Sequence, residues 1–134
     1  MATSVSTIKG VTPDLAAKLK EQGISNTDQL LEGSKTTGAR RDLAQKLGIE
    51  SGVLLELVNR ADLARIKGIG DAYANLLEDA GVDSIKELAQ RVPANLHERL
   101  VQLNTEKKIV PRPPSLDQVT TWITEAKALG QTVQ

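Results

Sequence analysis

A chain of 134 residues makes one domain of ordinary size or two very small ones, and it can bury roughly two-thirds of the surface its unfolded form exposes. Its 17 basic and 17 acidic residues cancel, and they cancel locally, with seven of each in 1–58 and ten of each in 59–134. A polybasic tail is therefore excluded, and any electrostatic footprint is a small patch. With no cysteine, disulfides, thiolate nucleophiles and thiolate metal sites drop out. With Tyr73 and Trp122 as the aromatic residues, so does a stacking platform for single-stranded nucleic acid. Met1 to Lys9 lacks the basic flank and apolar stretch of a signal peptide, and no apolar run approaches the ~18 residues of a membrane span. The expectation is a cytoplasmic protein without a membrane partner.

In chain order, Thr12 is placed to cap a helix that has Pro13 at its first position, where the missing N–H costs nothing. Asn26 and Gln29 have the spacing of a capping box for the next helix. Ala39 to Leu47 and Gly52 to Arg65 read as further helices, broken by Gly48-Ile49-Glu50-Ser51. A helix ending at Asp62 to Ile66 leads into a turn, Gly68-Ile69-Gly70. Ala72 to Ala80 follows as a helix with Tyr73, Leu76, Leu77 and Ala80 on one face. Gly81 stops it as a left-handed residue, and Ser84 with Glu87 predicts a second capping box. Pro93 to Leu103 is helical, and Thr105 to Pro114 is a loop because Pro111, Pro113 and Pro114 forbid a helix. Leu116 to Leu129 is an amphipathic helix expected to bury Leu116, Val119, Trp122, Ile123 and Ala126 and so to report packing, but no turn contact, through Trp122. No stretch alternates with the two-residue period of a strand, so the fold class is all-α.

A repeat runs through this order. Shifted by 58 residues, Ile8-Lys9-Gly10-Val11 falls on Ile66-Lys67-Gly68-Ile69. Ala16 then falls on Ala74, Leu19 on Leu77, Gly23 on Gly81, Ile24 on Val82, Thr27 on Ile85 and Leu30 on Leu88. A fainter echo at 65 residues pairs Leu54, Leu57, Val58 and Ala61 with Val119, Trp122, Ile123 and Ala126. Two glycines at a helix junction let the backbone turn sharply while aiming several N–H groups ahead of a helix N-terminus, a cradle that suits an oxyanion and ignores bases.

Ile66-Lys67-Gly68-Ile69-Gly70, with Ala74 and Leu77, resembles the helix-hairpin-helix motif of DNA repair and replication proteins. The resemblance implies sequence-independent binding to duplex phosphates. Over the longer run from Arg41 through Leu129, the segments Asn59-Arg60-Ala61-Asp62-Leu63, Asn95-Leu96-His97, Glu106-Lys107-Lys108 and Pro114-Ser115-Leu116 are similar to an uncharacterised bacterial family catalogued as a domain of unknown function, which implies no activity, catalytic residue or cofactor. Two departures from the DNA-binding motif stand out. Thr12 and Pro13 replace the second glycine of the first hairpin and its follower, and Asp71, Glu78 and Asp79 put negative charge near the second.

Other constellations reduce to plainer readings. Arg41 to Val53 has helix-turn-helix spacing, but Gly52, Leu54 and Leu55 offer bases no hydrogen bonds. Lys35 lacks the glycine spacing of a nucleotide-binding loop. Arg40-Arg41, Lys107-Lys108 and Arg112 are the concentrated basic spots, the last three beside a proline-stiffened loop; they could meet phosphates or an acidic partner, but the commoner outcome is solvated charge partnered by Asp42 and Glu106. His97 is the sole histidine, which leaves no multi-histidine metal site and no catalytic arrangement.

The sequence is thus read as two tandem helix-hairpin-helix repeats packed as one pseudo-symmetric helical domain. Residues 1–58 carry the first repeat with its connecting helices, and 59–134 the second with the C-terminal helix. The expected function is a non-catalytic module, without cofactor or metal, that binds the phosphate backbone of double-stranded DNA. Its candidate nucleic-acid-binding residues are Lys9, Gly10, Val11, Lys18, Arg65, Lys67, Gly68, Ile69 and Gly70. Gly10, Gly68, Ile69 and Gly70 would donate N–H groups, and Lys9, Lys18, Arg65 and Lys67 would supply charge. The alternative is a protein-interaction or scaffold domain, with an unidentified protein as partner and hairpins that only set helix angles.

Overall fold

The computed structural model of the chain describes residues 4–130; the outer ends of the two expected segments, 1–3 and 131–134, lie outside the described residues. A 3-10 turn over Val5–Thr7 precedes eight α-helices: α1 Pro13–Glu21, α2 Thr27–Glu32, α3 Thr37–Leu47, α4 Ser51–Leu63, α5 Asp71–Asp79, α6 Ile85–Ala89, α7 Pro93–Lys107 and α8 Leu116–Leu129. The described residues form no strand, and the chain is all-α. Backbone contacts divide it into two units, one ending at Arg65 and one beginning at Ile66. Helix α4 runs through residues 58 and 59 without a break and belongs to the first.

Each unit joins its helices in the same pairs. In the first, α1 packs on α3, α2 on α4 and α3 on α4; in the second, α5 packs on α7, α6 on α8 and α7 on α8. The 58-residue spacing persists in single hydrogen bonds. Val11 N–H donates to Ile8 C=O as Ile69 N–H does to Ile66 C=O, each at 3.1 Å. At the ends of α1 and α5, Gly23 N–H reaches Lys20 C=O and Gly81 N–H reaches Glu78 C=O, both at 2.9 Å. Ile24 N–H reaches Leu19 C=O and Val82 N–H reaches Leu77 C=O. The 65-residue echo holds in the core, where Leu54, Leu57, Val58 and Ala61 of α4 and Val119, Trp122, Ile123 and Ala126 of α8 are all buried. Four apolar positions at helical spacing give each of these helices its inward stripe, and each large side chain so buried contributes about 1.5–3 kcal/mol.

The helix starts follow their caps. Thr12 Oγ1 accepts from Leu15 N–H, and Asn26 with Gln29 forms the expected capping box. Ser84 Oγ accepts from Glu87 N–H, but the box is not closed there, because the Glu87 carboxylate lies 3.5 Å from the Arg91 guanidinium instead. At the corresponding position of the first unit stands Gly33, which offers Gln29 no such alternative. Helix α7 runs four residues beyond the expected Leu103, to Lys107. Pro111 forbids helix only near itself, and buried Asn104 holds the chain beyond the helix by accepting from Val110 N–H at 2.9 Å and donating to Val110 C=O at 3.1 Å. Leu116 does not join the buried stripe of α8; as the first residue of the helix it is 45% exposed.

Arg40 overturns its reading as solvated charge. It is buried on α3, and its guanidinium donates to Ser34 C=O and Lys35 C=O at 3.0 Å each and to Thr37 Oγ1 at 3.3 Å, tying down the α2–α3 connection. In α7 the same helical position, counted from the caps Thr36 and Val92, is buried Leu96. Lys107 likewise pairs with Asp79, at 3.4 Å, rather than with Glu106. Removing the Arg40 side chain leaves buried carbonyls without their donor. Arg40→Ala is expected to lower unfolding free energy by about 2–4 kcal/mol, against less than about 0.5 for the exposed neighbour Arg41→Ala. Urea denaturation of both variants checks this, and equal losses would contradict it.

Candidate nucleic-acid interface

The two hairpins occupy separate units: Lys9, Gly10 and Val11 lie in the first, and Lys67, Gly68, Ile69 and Gly70 in the second. Gly10 and Gly68 have φ of +99° and +92°, where a side chain is strained. Both also pass close over the last helix of their own unit. A Cβ on Gly10 would lie 3.2 Å from Leu57 Cδ2, and one on Gly68 would lie 3.4 Å from Trp122 Nε1. The residues touched are one of the 65-residue pairs. Trp122 therefore sits directly beneath the second hairpin, contrary to the expectation that it reports packing alone.

The amides divide into two groups. Those of Val11 and Ile69 are spent inside their turns, so Ile69, expected as a donor, points its N–H at Ile66 C=O and its side chain into the core. Among the described residues, the N–H groups of Gly10, Gly68 and Gly70 donate to no backbone or side-chain acceptor, and all three glycines are exposed.

The helices behind the two hairpins begin differently. Thr12 caps α1 with its own hydroxyl and Pro13 removes a donor. Gly70 is the N-cap of α5, with φ −86° and ψ −172°, and has no side chain to accept from the first turn. The amides of Asp71, Ala72 and Tyr73 are therefore left facing outward with the positive end of the helix dipole behind them. The side chain of Asp71 lies outside the described residues. Asp79 is drawn to Lys107 at the far end of α5.

Within the first unit the candidate cations are not gathered at one place. Lys9 and Lys67 are exposed beside their hairpin glycines. Lys18 sits in the last turn of α1, at the end remote from Gly10, where it complements the negative end of the helix dipole. Arg65 lies 3.1 Å from the carboxylate of buried Asp62 and lines a recess of about 370 Å³ with Asp28, Leu31, Glu32 and Lys35. Its charge is matched by carboxylates within the first unit.

Two neighbours of the second hairpin carry no local sequence signal. Tyr73, in the first turn of α5, stacks obliquely on Trp122 with ring centroids 5.2 Å apart, and its hydroxyl donates to Arg112 C=O at 3.2 Å. These partners are separated by tens of residues. Among the described residues no group of three or more histidines, cysteines, aspartates or glutamates is placed to hold a metal ion.

The close approach at Gly68 carries an optical consequence. Gly68→Ala and Gly10→Ala are each expected to cost about 1–2 kcal/mol through left-handed strain, but only Gly68→Ala should shift the Trp122 emission. Gly70→Ala, with open space around it, should change stability by less than about 0.5 kcal/mol. Urea titration followed by tryptophan fluorescence measures all three, and an unchanged folded-state spectrum in Gly68→Ala would refute the contact.

No helix among the described residues is long and apolar enough to cross a membrane. No curated protein and no solved structure matches the chain. The pattern of the domain of unknown function DUF4332 spans residues 9–129, from the first hairpin to the end of α8, and the chain belongs to that family.

Proposed function

We propose that the protein is a non-catalytic module built of two helix-hairpin-helix repeats that binds the phosphate backbone of double-stranded DNA without reading its sequence. The observation that carries this reading is the second hairpin, where exposed Gly68 and Gly70 have unspent amides ahead of an α5 N-terminus without a side-chain cap. Such a surface favours an oxyanion by hydrogen bonding and by the helix dipole together. Lys67 adds a cation beside it. Backbone donors meet phosphates identically at every base pair, which is why the interaction is indifferent to sequence.

The first hairpin is the weaker of the two in this reading. Pro13 lacks the N–H that its counterpart after Gly70 keeps, and the Thr12 hydroxyl takes up Leu15 N–H, so fewer donors are left at the start of α1 than at the start of α5.

A second reading is favoured by a separate observation. The approaches of Gly10 to Leu57 and of Gly68 to Trp122 give both glycines an architectural reason that needs no ligand. On that reading the hairpins set helix angles, and the protein is an interaction or scaffold module that meets another protein.

Fluorescence anisotropy with labelled duplexes of unrelated sequence separates the two. With two to four phosphates neutralised, affinity should fall roughly ten- to a hundred-fold between about 50 and 200 mM salt and differ little between sequences. Gly70→Gln, which fills the approach to the amides at a position of ordinary φ, should weaken binding at least about ten-fold while stability changes by less than about 0.5 kcal/mol. Absence of binding at low salt, or full binding by a folded Gly70→Gln, would favour the scaffold.

A further inference from the structure

The connection from α7 to α8 differs from its counterpart in the first unit. There, α3 passes to α4 through Gly48, Ile49 and Glu50. Here eight residues intervene, Lys108 to Ser115, including Pro111, Pro113 and Pro114. This longer segment is pinned at three points. Asn104 holds both backbone groups of Val110, the Tyr73 hydroxyl holds Arg112 C=O, and Pro114 is buried. Between these anchors the side chain of Arg112 is exposed, and Lys108 is exposed where α7 ends.

The anchor at Arg112 is Tyr73, in the first turn of the helix that opens at Gly70. A tyrosine hydroxyl from the first turn of α5, with flanking prolines, therefore holds the Arg112 backbone, and that turn follows directly on the hairpin whose amides are unspent. A restrained loop presents its side chain at lower entropic cost than a free one. From Lys108 to Ser115 the loop has no acidic residue; Glu106 before it and Asp117 after it are exposed on their helices.

We propose that the Lys108–Ser115 loop is a second contact element for the phosphodiester chain, with Arg112 gripping a phosphate adjacent to the one held at Gly68 and Gly70, and Tyr73 as the positioning residue that holds the loop there. This rests on the phosphate reading of the second hairpin and adds a contact from a distant part of the sequence. The guanidinium fork suits a phosphate held in two-point hydrogen bonding.

The test uses the full chain and a labelled random-sequence duplex, with salt titrations of the wild type, Arg112→Gln, Tyr73→Phe and Gly70→Gln. Arg112→Gln should reduce affinity about three- to ten-fold and the log–log salt slope by about 0.9, the signature of one lost phosphate contact. Tyr73→Phe keeps the ring against Trp122 and the charge on Arg112, and should reduce affinity by a smaller factor with the salt slope nearer that of the wild type. If Arg112→Gln binds as the wild type does while Gly70→Gln has lost binding, the loop is no part of the site and the hairpin reading stands alone. If Arg112→Gln loses binding and Gly70→Gln keeps it, the joint site is overturned. A wild type that binds no duplex at low salt removes both readings. Equal binding to labelled poly-glutamate, with the same loss in Arg112→Gln, would make the partner an acidic polypeptide and overturn the phosphodiester assignment.

Discussion

Gly10 and Gly68 each turn the chain through a positive φ where it passes over a buried side chain of their unit's last helix, Leu57 in α4 and Trp122 in α8. At 3.2 and 3.4 Å from where a Cβ would stand, there is little room for a side chain, and the backbone angle is one that L-residues adopt at a cost. The approach lets the turn and the inward stripe of the last helix meet without a gap. It has a second effect on the outer side. A chain bent this tightly closes one internal hydrogen bond, through Val11 or Ile69, and leaves the amides of Gly10 and Gly68 without protein acceptors. The same geometry thus serves packing within and leaves donors without, so the architectural role and the proposed binding role fall on the same residues.

Each unit repeats the helix pairing of the other, yet several of the substitutions between them change the hairpins. Thr12 and Pro13 close the start of α1, whereas Gly70 leaves the start of α5 open. Leu15 and Leu57 of the first unit correspond to Tyr73 and Trp122 of the second, so both aromatic residues of the chain meet where Trp122 lies under Gly68. Tyrosine brings a hydroxyl that leucine lacks, and that hydroxyl reaches the proline-rich connection. A short link between α3 and α4 could not supply such a partner. A donor-rich second hairpin and a more closed first one follow from these few differences.

Much of the fold is legible in the sequence because its determinants are local. Caps at Thr12, Asn26 and Ser84, the stop at Gly81 and the span Leu116–Leu129 all follow from residues within a few positions of one another. The incomplete box at Ser84 needed knowledge of Arg91, one turn further on. Arg40 misleads because a charged residue beside Arg41 reads as surface, and its burial depends on carbonyls that the α2–α3 connection happens to turn inward. The corresponding Leu96 of α7 would have exposed the helical equivalence had the two residues been alike. At the candidate site, the glycines were legible from their spacing, but the spending of the Ile69 amide, the burial of Trp122 beneath Gly68 and the tie from Tyr73 to Arg112 are tertiary facts. In the sequence these tertiary facts leave one trace, the pairing of Leu57 with Trp122 at a spacing of 65 beside Gly10 with Gly68 at 58. The seven-residue difference between those spacings is the net of an α7 four residues longer than α3, an α7–α8 connection five residues longer than the α3–α4 one, and two residues fewer ahead of α7.

In the proposed function the second hairpin offers its unspent amides to phosphate. Titrating isotope-labelled protein with a short duplex of arbitrary sequence, and following backbone amide and indole N–H resonances, tests it most directly. The account predicts that the largest shifts fall on Gly68, Gly70 and Ala72, with the Trp122 indole moving in step. Shifts confined to other surfaces, such as the groove lined by Ile24, Ala39, Leu43 and Lys46 in the first unit, or no shifts at low salt, would contradict it.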